Sequence, residues 1–202
     1  MSAAPEAVLI GYFPKRRTPR PDWLDAPGVH TVCSVAECVA PGPDGWIQAW
    51  RHNEWGYYRD PATAWSVVPD GERANFDLRA YELVPVRYVE GAPVPFAVGA
   101  DGVRALDGTF RTLGYDVVSR GESDFFECSP LSCNAWATDV GANRHCLVDD
   151  LDAALRLASI AEASRCEPGD YHVMRVWSRS PDGGRAADGP EPGGEDASGA
   201  AR

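Results

Sequence analysis

The sequence predicts an α+β fold: a single domain built from two similar β-α-α-β halves packed about an approximate two-fold axis, with a disordered acidic C-terminal tail. Three observations predict it. Strand-like and helix-like segments follow the same order twice along the chain. A constant shift of ninety residues pairs Asn53 with Asn143, Asp60 with Asp150, Ala64 with Ala154, Tyr81 with Tyr171 and Val86 with Val176. The motif Cys-Ser-x-x-x-Cys is written once in each half, at Cys33 to Cys38 and at Cys128 to Cys133. The domain is expected over 1–180, with a first half at 6–90, a linker rich in Gly, Pro and Ala at 91–110, a second half at 111–180 and the tail at 181–202. Neither half is large enough to cover its own sheet face, so the two are expected to share one core.

In the first half, VLIGYFP reads as a strand. VCSVAEC offers Ser34 as a helix N-cap with Glu37 three residues on, a capping-box pattern. RDPATAWSVV starts a short helix with Asp60 as cap and Pro61 at the first position. FDLRAYELVPVRYV is a strand in which Pro85 marks an edge or a bulge. In the second half, LGYDVVSR is a strand of β-branched pairs, and Ser129-Pro130 is a helix start. Residues 148–163 form the clearest helix, with Leu151, Ala154, Leu155 and Ala158 as a stripe and Asp149 or Asp150 as cap. YHVMRVW closes the half as an alternating strand.

Formal net charge is -11 over 202 residues, and the tail carries five acids against two arginines. An acidic body lacks the basic face that phosphate backbones require, so nucleic acid is excluded as the main partner. It suits solubility, or a basic protein partner. No apolar run approaches the length of a membrane span, and the first one, at Ala7 to Phe13, precedes its basic cluster rather than following it. A cytoplasmic protein of bacterial type is expected, without membrane association and with reduced thiols. The tail holds no aromatic and no large aliphatic residue, too little to offset ordering entropy.

The cysteines admit three readings. If Ser34 and Ser129 are N-caps, each first cysteine precedes the cap and each second one is the fourth helical residue. Those are the two positions of a hydrophobic staple, and two small apolar side chains there need no chemistry. Alternatively the thiols bind metal: Cys33, Cys38, Cys128 and Cys133, two from each half, supply four sulfur ligands for zinc, with His52, His145 and Cys146 as further donors. A thiol in the first turn of a helix also has its pKa lowered by the unpaired N–H groups. That makes Cys133 and Cys38 the activated thiols of a redox pair, with Cys128 and Cys33 close enough to resolve; for a cysteine nucleophile instead, Cys128 and Cys133 with His145 or His172 as base are the candidate catalytic set.

The aromatic segment at Gly45 to Asp60 is the other unusual stretch. Trp46 and Trp50 share one face of a short helix, and His52, Asn53, Glu54 and Trp55 are the candidate ligand-binding residues. The alternative is plain core packing. Asn53 and Asn143 also suit turns. The acids Asp149, Asp150 and Asp152 sit at a helix N-terminus, where they are favoured without any cation. No phosphate loop, dinucleotide fingerprint, HExxH, GxSxG, EF-hand loop or CxxC is present.

The function expected from these features is a binding or protein-interaction module, inhibitor-like or immunity-like as one subtype, with a protein or small-molecule ligand and no required cofactor. The alternatives are a cysteine-dependent enzyme or thiol redox protein with its site between the halves, and a zinc-stapled structural adaptor.

Overall fold

Alternating apolar runs over Val8–Arg16 (β1), Phe76–Val89 (β2), Arg111–Arg120 (β4) and Asp170–Arg179 (β5) build one antiparallel sheet in the order β1-β2-β5-β4. The short strand Ala92–Pro95 (β3) pairs back onto the end of β2. The computed structural model describes residues 6–46, 52–121, 126 and 128–179. The expected tail and the expected helical turn at Trp50 lie outside those residues.

β2 and β5 occupy the centre of the sheet, paired from Leu78 with Arg179 to Tyr88 with Tyr171. Pro85 falls inside the register shift between Leu83 and Arg87, where a missing N–H breaks no ladder bond. It is therefore a bulge on a central strand rather than an edge. The stretch expected as linker is in part a hairpin. Glu90 and Gly91 take φ of 51° and 79°, the left-handed pair that a tight two-residue turn requires. Phe96, Val98, Val103 and Leu106 then pack against the core.

The helices follow their caps. Asp60 accepts from the Thr63 N–H at 2.8 Å and starts Pro61–Ser66 (α1), and Asp150 accepts from the Ala153 N–H at 2.7 Å and starts Leu151–Ser164 (α4). Of the two candidate caps, Asp150 is the one used; Asp149 accepts from Asn143 Nδ2 at 2.8 Å. α4 buries Ala154, Leu157, Ala158 and Ala161 beside Val117, Tyr171 and Val173 of the sheet. Pro130–Cys133 (α2) and Ala137–Val140 (α3) are single turns. The helix expected from Ser34 is absent: residues 37–39 form a turn. The Glu37 carboxylate binds the buried Lys15 ammonium and the Gly42 N–H instead of returning to Ser34. Among its described residues the first half thus holds one α-helix, α1, and a 3-10 turn at Asp70–Asn75, where two α-helices were expected.

Two loops show the same bonding. Asn53 Oδ1 accepts from the Trp55 and Tyr57 N–H groups at 3.0 and 3.1 Å, while Nδ2 donates to Ile10 O at 2.7 Å. Asn143 Oδ1 accepts from the His145 and Leu147 N–H groups at 2.9 and 3.3 Å, while Nδ2 donates to Leu113 O at 2.8 Å. The glycine after each accepting carbonyl sits at a β-bulge, Gly11 with φ +147° and Gly114 with φ +134°. A Cβ on Gly11 would lie 2.8 Å from Tyr58 O, and one on Gly114 would lie 2.7 Å from Val148 O. No helix of the described residues is long and apolar enough to cross a membrane.

Gly11→Ala and Gly114→Ala should each lower unfolding free energy by about 3 kcal/mol, from strained φ plus a backbone clash. Urea denaturation measures this. A change within experimental scatter at either position would mean the loop does not press on the bulge.

Candidate metal centre

The residue that assembles the site is Asp116, in the middle of β4. It is fully buried, and both its oxygens are engaged. Oδ2 accepts from Ser34 Oγ at 3.0 Å and from the Val35 N–H at 2.8 Å. Oδ1 accepts from Ser129 Oγ at 2.6 Å and from the Val117 N–H at 2.9 Å. Ser34 and Ser129 are the serines of the two Cys-Ser-x-x-x-Cys motifs. Each hydroxyl thus points at one shared carboxylate. Ser129 occupies the N-cap position of α2 but gives its side chain no capping bond. Lys15, also fully buried, holds the first motif from β1 by donating to Val35 O at 2.8 Å. Cys128 O accepts from the Ser119 N–H at 2.8 Å, which ties the second motif to β4.

This arrangement brings one cysteine of the first motif to both cysteines of the second. The sulfurs of Cys38, Cys128 and Cys133 all lie within 4.8 Å of one another. Cys38 Sγ is 2.8 Å from Cys133 Sγ, and none of the six cysteines is in a disulfide. Cys133 is the fourth residue of α2, so Cys128 and Cys133 approach each other across its first turn. Cys33, the expected partner of Cys38, is placed elsewhere. It is buried, with Sγ 3.8 Å from His145 Nδ1. Without a helix after Ser34, nothing brings Cys33 back to Cys38. The four-cysteine set Cys33, Cys38, Cys128 and Cys133 is therefore a cluster of three, geometrically compatible with zinc.

The donor chemistry fits. Zinc with thiolate bonds of about 2.3 Å spaces tetrahedral sulfurs about 3.8 Å apart, so Cys38 and Cys133 would separate by about 1 Å around a metal. The Cys133 thiol is held down at about 6, first by the contact from Cys38 and then, against burial, by the Ser129 backbone. That same contact, followed by burial, pushes Cys38 up. Burial and then the Cys133 charge push Cys128 up to about 12. One thiolate shared among three sulfurs is the local balance, and a divalent cation would replace the two remaining protons.

The other expected site residues fall apart from this cluster. His145 meets Cys33 rather than Cys128 or Cys133. His172 is buried edge-on to Phe96 and Phe126, and burial followed by the Arg120 and Arg87 charges lowers it to about 3. Of His52, Asn53, Glu54 and Trp55, Trp55 packs in the aromatic core and Asn53 is also buried. The Asn53 side chain organises its loop, Trp55 Nε1 donates to Gly99 O at 2.8 Å, and His52 lies edge-on to Trp46 with centroids 5.7 Å apart. Glu54 is exposed. Asp116 was missed from the sequence. Its signal is an aspartate between Tyr115 and the pair Val117-Val118 in a strand, a residue that strands disfavour unless it has work there. No family model, no curated protein and no solved structure matches this chain.

Ser34→Ala and Ser129→Ala should each cost about 1–2 kcal/mol, and neither should cost much in an Asp116→Ala background. Additive losses in that double-mutant cycle would contradict the shared carboxylate. Burial raises the Asp116 carboxyl, with the Ser129, Val35, Ser34 and Val117 donors acting against it. Its contribution is therefore fully present below the unfolded value of about 4 and is lost as pH rises through the native value. The stability of the wild type relative to Asp116→Asn should fall as pH is raised from about 4. A pH-independent difference would show that the native carboxyl is not raised.

Proposed function

We propose that this protein is a zinc-stapled adaptor in which Cys38, Cys128 and Cys133 hold one Zn²⁺ and so lock the two cysteine segments to each other. The observation that carries the reading is the convergence of three thiols from sequence-distant segments within 4.8 Å. Zinc would supply cross-linking energy at a place where the first segment is a turn rather than a helix. With three ligands among the described residues, the fourth position falls to water or to a donor from a partner. Cys38 is exposed, which favours access from solvent and keeps a protein or small-molecule ligand in view as the partner.

The two halves are, in the same reading, copies of one unit packed about an approximate two-fold axis. The matched Asn53 and Asn143 loops, the two glycine bulges, the Asp60 and Asp150 caps and the order β1-β2-β5-β4 support this. Metal at the cysteines would then staple one copy to the other.

A second reading, a thiol redox pair, is favoured by the 2.8 Å separation of Cys38 and Cys133 Sγ. One purification separates the two. Protein made without chelator should hold close to one zinc per chain, and removing the metal should lower its melting temperature. Free zinc at about a hundred times Kd stabilises by about 2.7 kcal/mol. Cys38→Ser, Cys128→Ser and Cys133→Ser should each weaken zinc binding without abolishing it. Protein without zinc that shows two fewer titratable thiols would replace the adaptor reading with the redox one.

A further inference from the structure

Cys33 lies outside the metal cluster, in a cleft of about 170 Å³ whose lining includes Arg17, Thr31, Asp77, Arg79 and His145. The cleft is roomy enough for a small organic molecule rather than a single water. Three reactive groups meet on its wall. Cys33 Sγ is 3.8 Å from His145 Nδ1, and Thr31 Oγ1 lies 3.3 Å from the same nitrogen and 3.7 Å from the sulfur. The backbone fixes this approach, because the Cys33 N–H donates to His145 O at 2.9 Å and the Thr31 N–H to Arg144 O at 3.0 Å. Two loops distant in sequence are thus clamped together at the thiol.

Arg79 is the second, independent observation. It projects from β2 between Phe13 of β1 and Ser178 of β5, and it is only 1 % exposed. Its Nη1 reaches Ser34 O at a long 3.4 Å, and its Nε has no hydrogen-bond partner among the described residues. The nearest acid in the cleft, Asp77, is committed to Arg17 at 2.8 Å. A buried guanidinium without a matching anion is costly, and its planar fork suits a carboxylate.

We propose that this cleft binds a small carboxylate-bearing carbon electrophile, with Arg79 clamping the carboxylate, Cys33 acting as nucleophile and His145 as its base. The site is separate from the metal centre and does not rest on zinc. Burial, followed by the Arg144 and Arg79 charges, lowers the His145 imidazole, so the ring is neutral and able to accept a proton at neutral pH. With iodoacetate as the probe, the Cys33 sulfur forms a bond to the methylene carbon as the carbon–iodine bond breaks. Iodide leaves with the bonding pair, and the thiol proton passes to His145 Nδ1.

The test is alkylation of the whole protein by iodoacetate and by the neutral iodoacetamide, followed by mass spectrometry of the peptide that contains Cys33. Cleavage after Glu37 puts Cys33 and Cys38 on different peptides, which keeps the result independent of Cys38, Cys128 and Cys133. The iodoacetate-to-iodoacetamide rate ratio at Cys33 should exceed that of glutathione by about tenfold or more, the worth of one charge-assisted clamp. Acetate should slow iodoacetate at Cys33, while chloride at equal ionic strength should not. Arg79→Lys should lose most of the preference, because an ammonium lacks the fork. A ratio equal to that of glutathione, no protection by acetate, or a Cys33 that neither reagent reaches would each overturn the proposal. The acetate arm needs no variant, so a folding defect in Arg79→Lys does not weaken the test.

Discussion

Asp116 accepts hydrogen bonds from both cysteine motifs at once, and the position of the cysteines depends on it. A carboxylate buried in the middle of a sheet is expensive unless donors surround it. Here the donors are two serine hydroxyls and two backbone N–H groups, drawn from segments more than eighty residues apart in the case of Ser34 and Val35. Leaving any of them unpaired costs roughly 1–3 kcal/mol, so the loops have little freedom to move away. The repeated Cys-Ser is explained by this geometry: the serine is the anchor, and the cysteines are carried to their places by it.

The same anchor produces different outcomes in the two motifs. After Ser129, Pro130 starts a helical turn, and the two following-and-preceding cysteines meet on it. After Ser34 the chain turns without forming a helix, because Glu37 is drawn to the buried Lys15 ammonium. Cys33 then faces His145 and Cys38 faces the second motif. One motif type thus contributes to two chemically distinct places, a partly exposed three-thiol cluster and a cleft lined by Arg17 and Arg79.

Much of the framework was legible in the sequence. The four long strands, α1, α4 and the Asp60 and Asp150 caps announce themselves through alternation, helical spacing and cap chemistry, which are local signals. β3 was not legible, since a four-residue strand that itself contains two prolines reads as linker, and its evidence is the positive φ of Glu90 and Gly91. The three-cysteine cluster was half legible. The contact of Cys128 with Cys133 follows from spacing on one turn, whereas the arrival of Cys38 depends on Asp116, a partner no spacing rule supplies. The failure of the Ser34 capping box has the same origin: Lys15 lies twenty-two residues from Glu37, and a buried ammonium outcompetes a backbone N–H for a carboxylate. Within the aromatic segment, Trp55, Tyr57 and Tyr58 join the core.

The central claim is that sulfurs from both motifs share one metal ion. X-ray absorption at the zinc edge tests it most directly, on the purified full chain and on Cys38→Ser. The account predicts three sulfurs at about 2.3 Å and one lighter ligand in the wild type, with one sulfur fewer in the variant. A zinc shell without sulfur, or a sulfur count unchanged by Cys38→Ser, would contradict it.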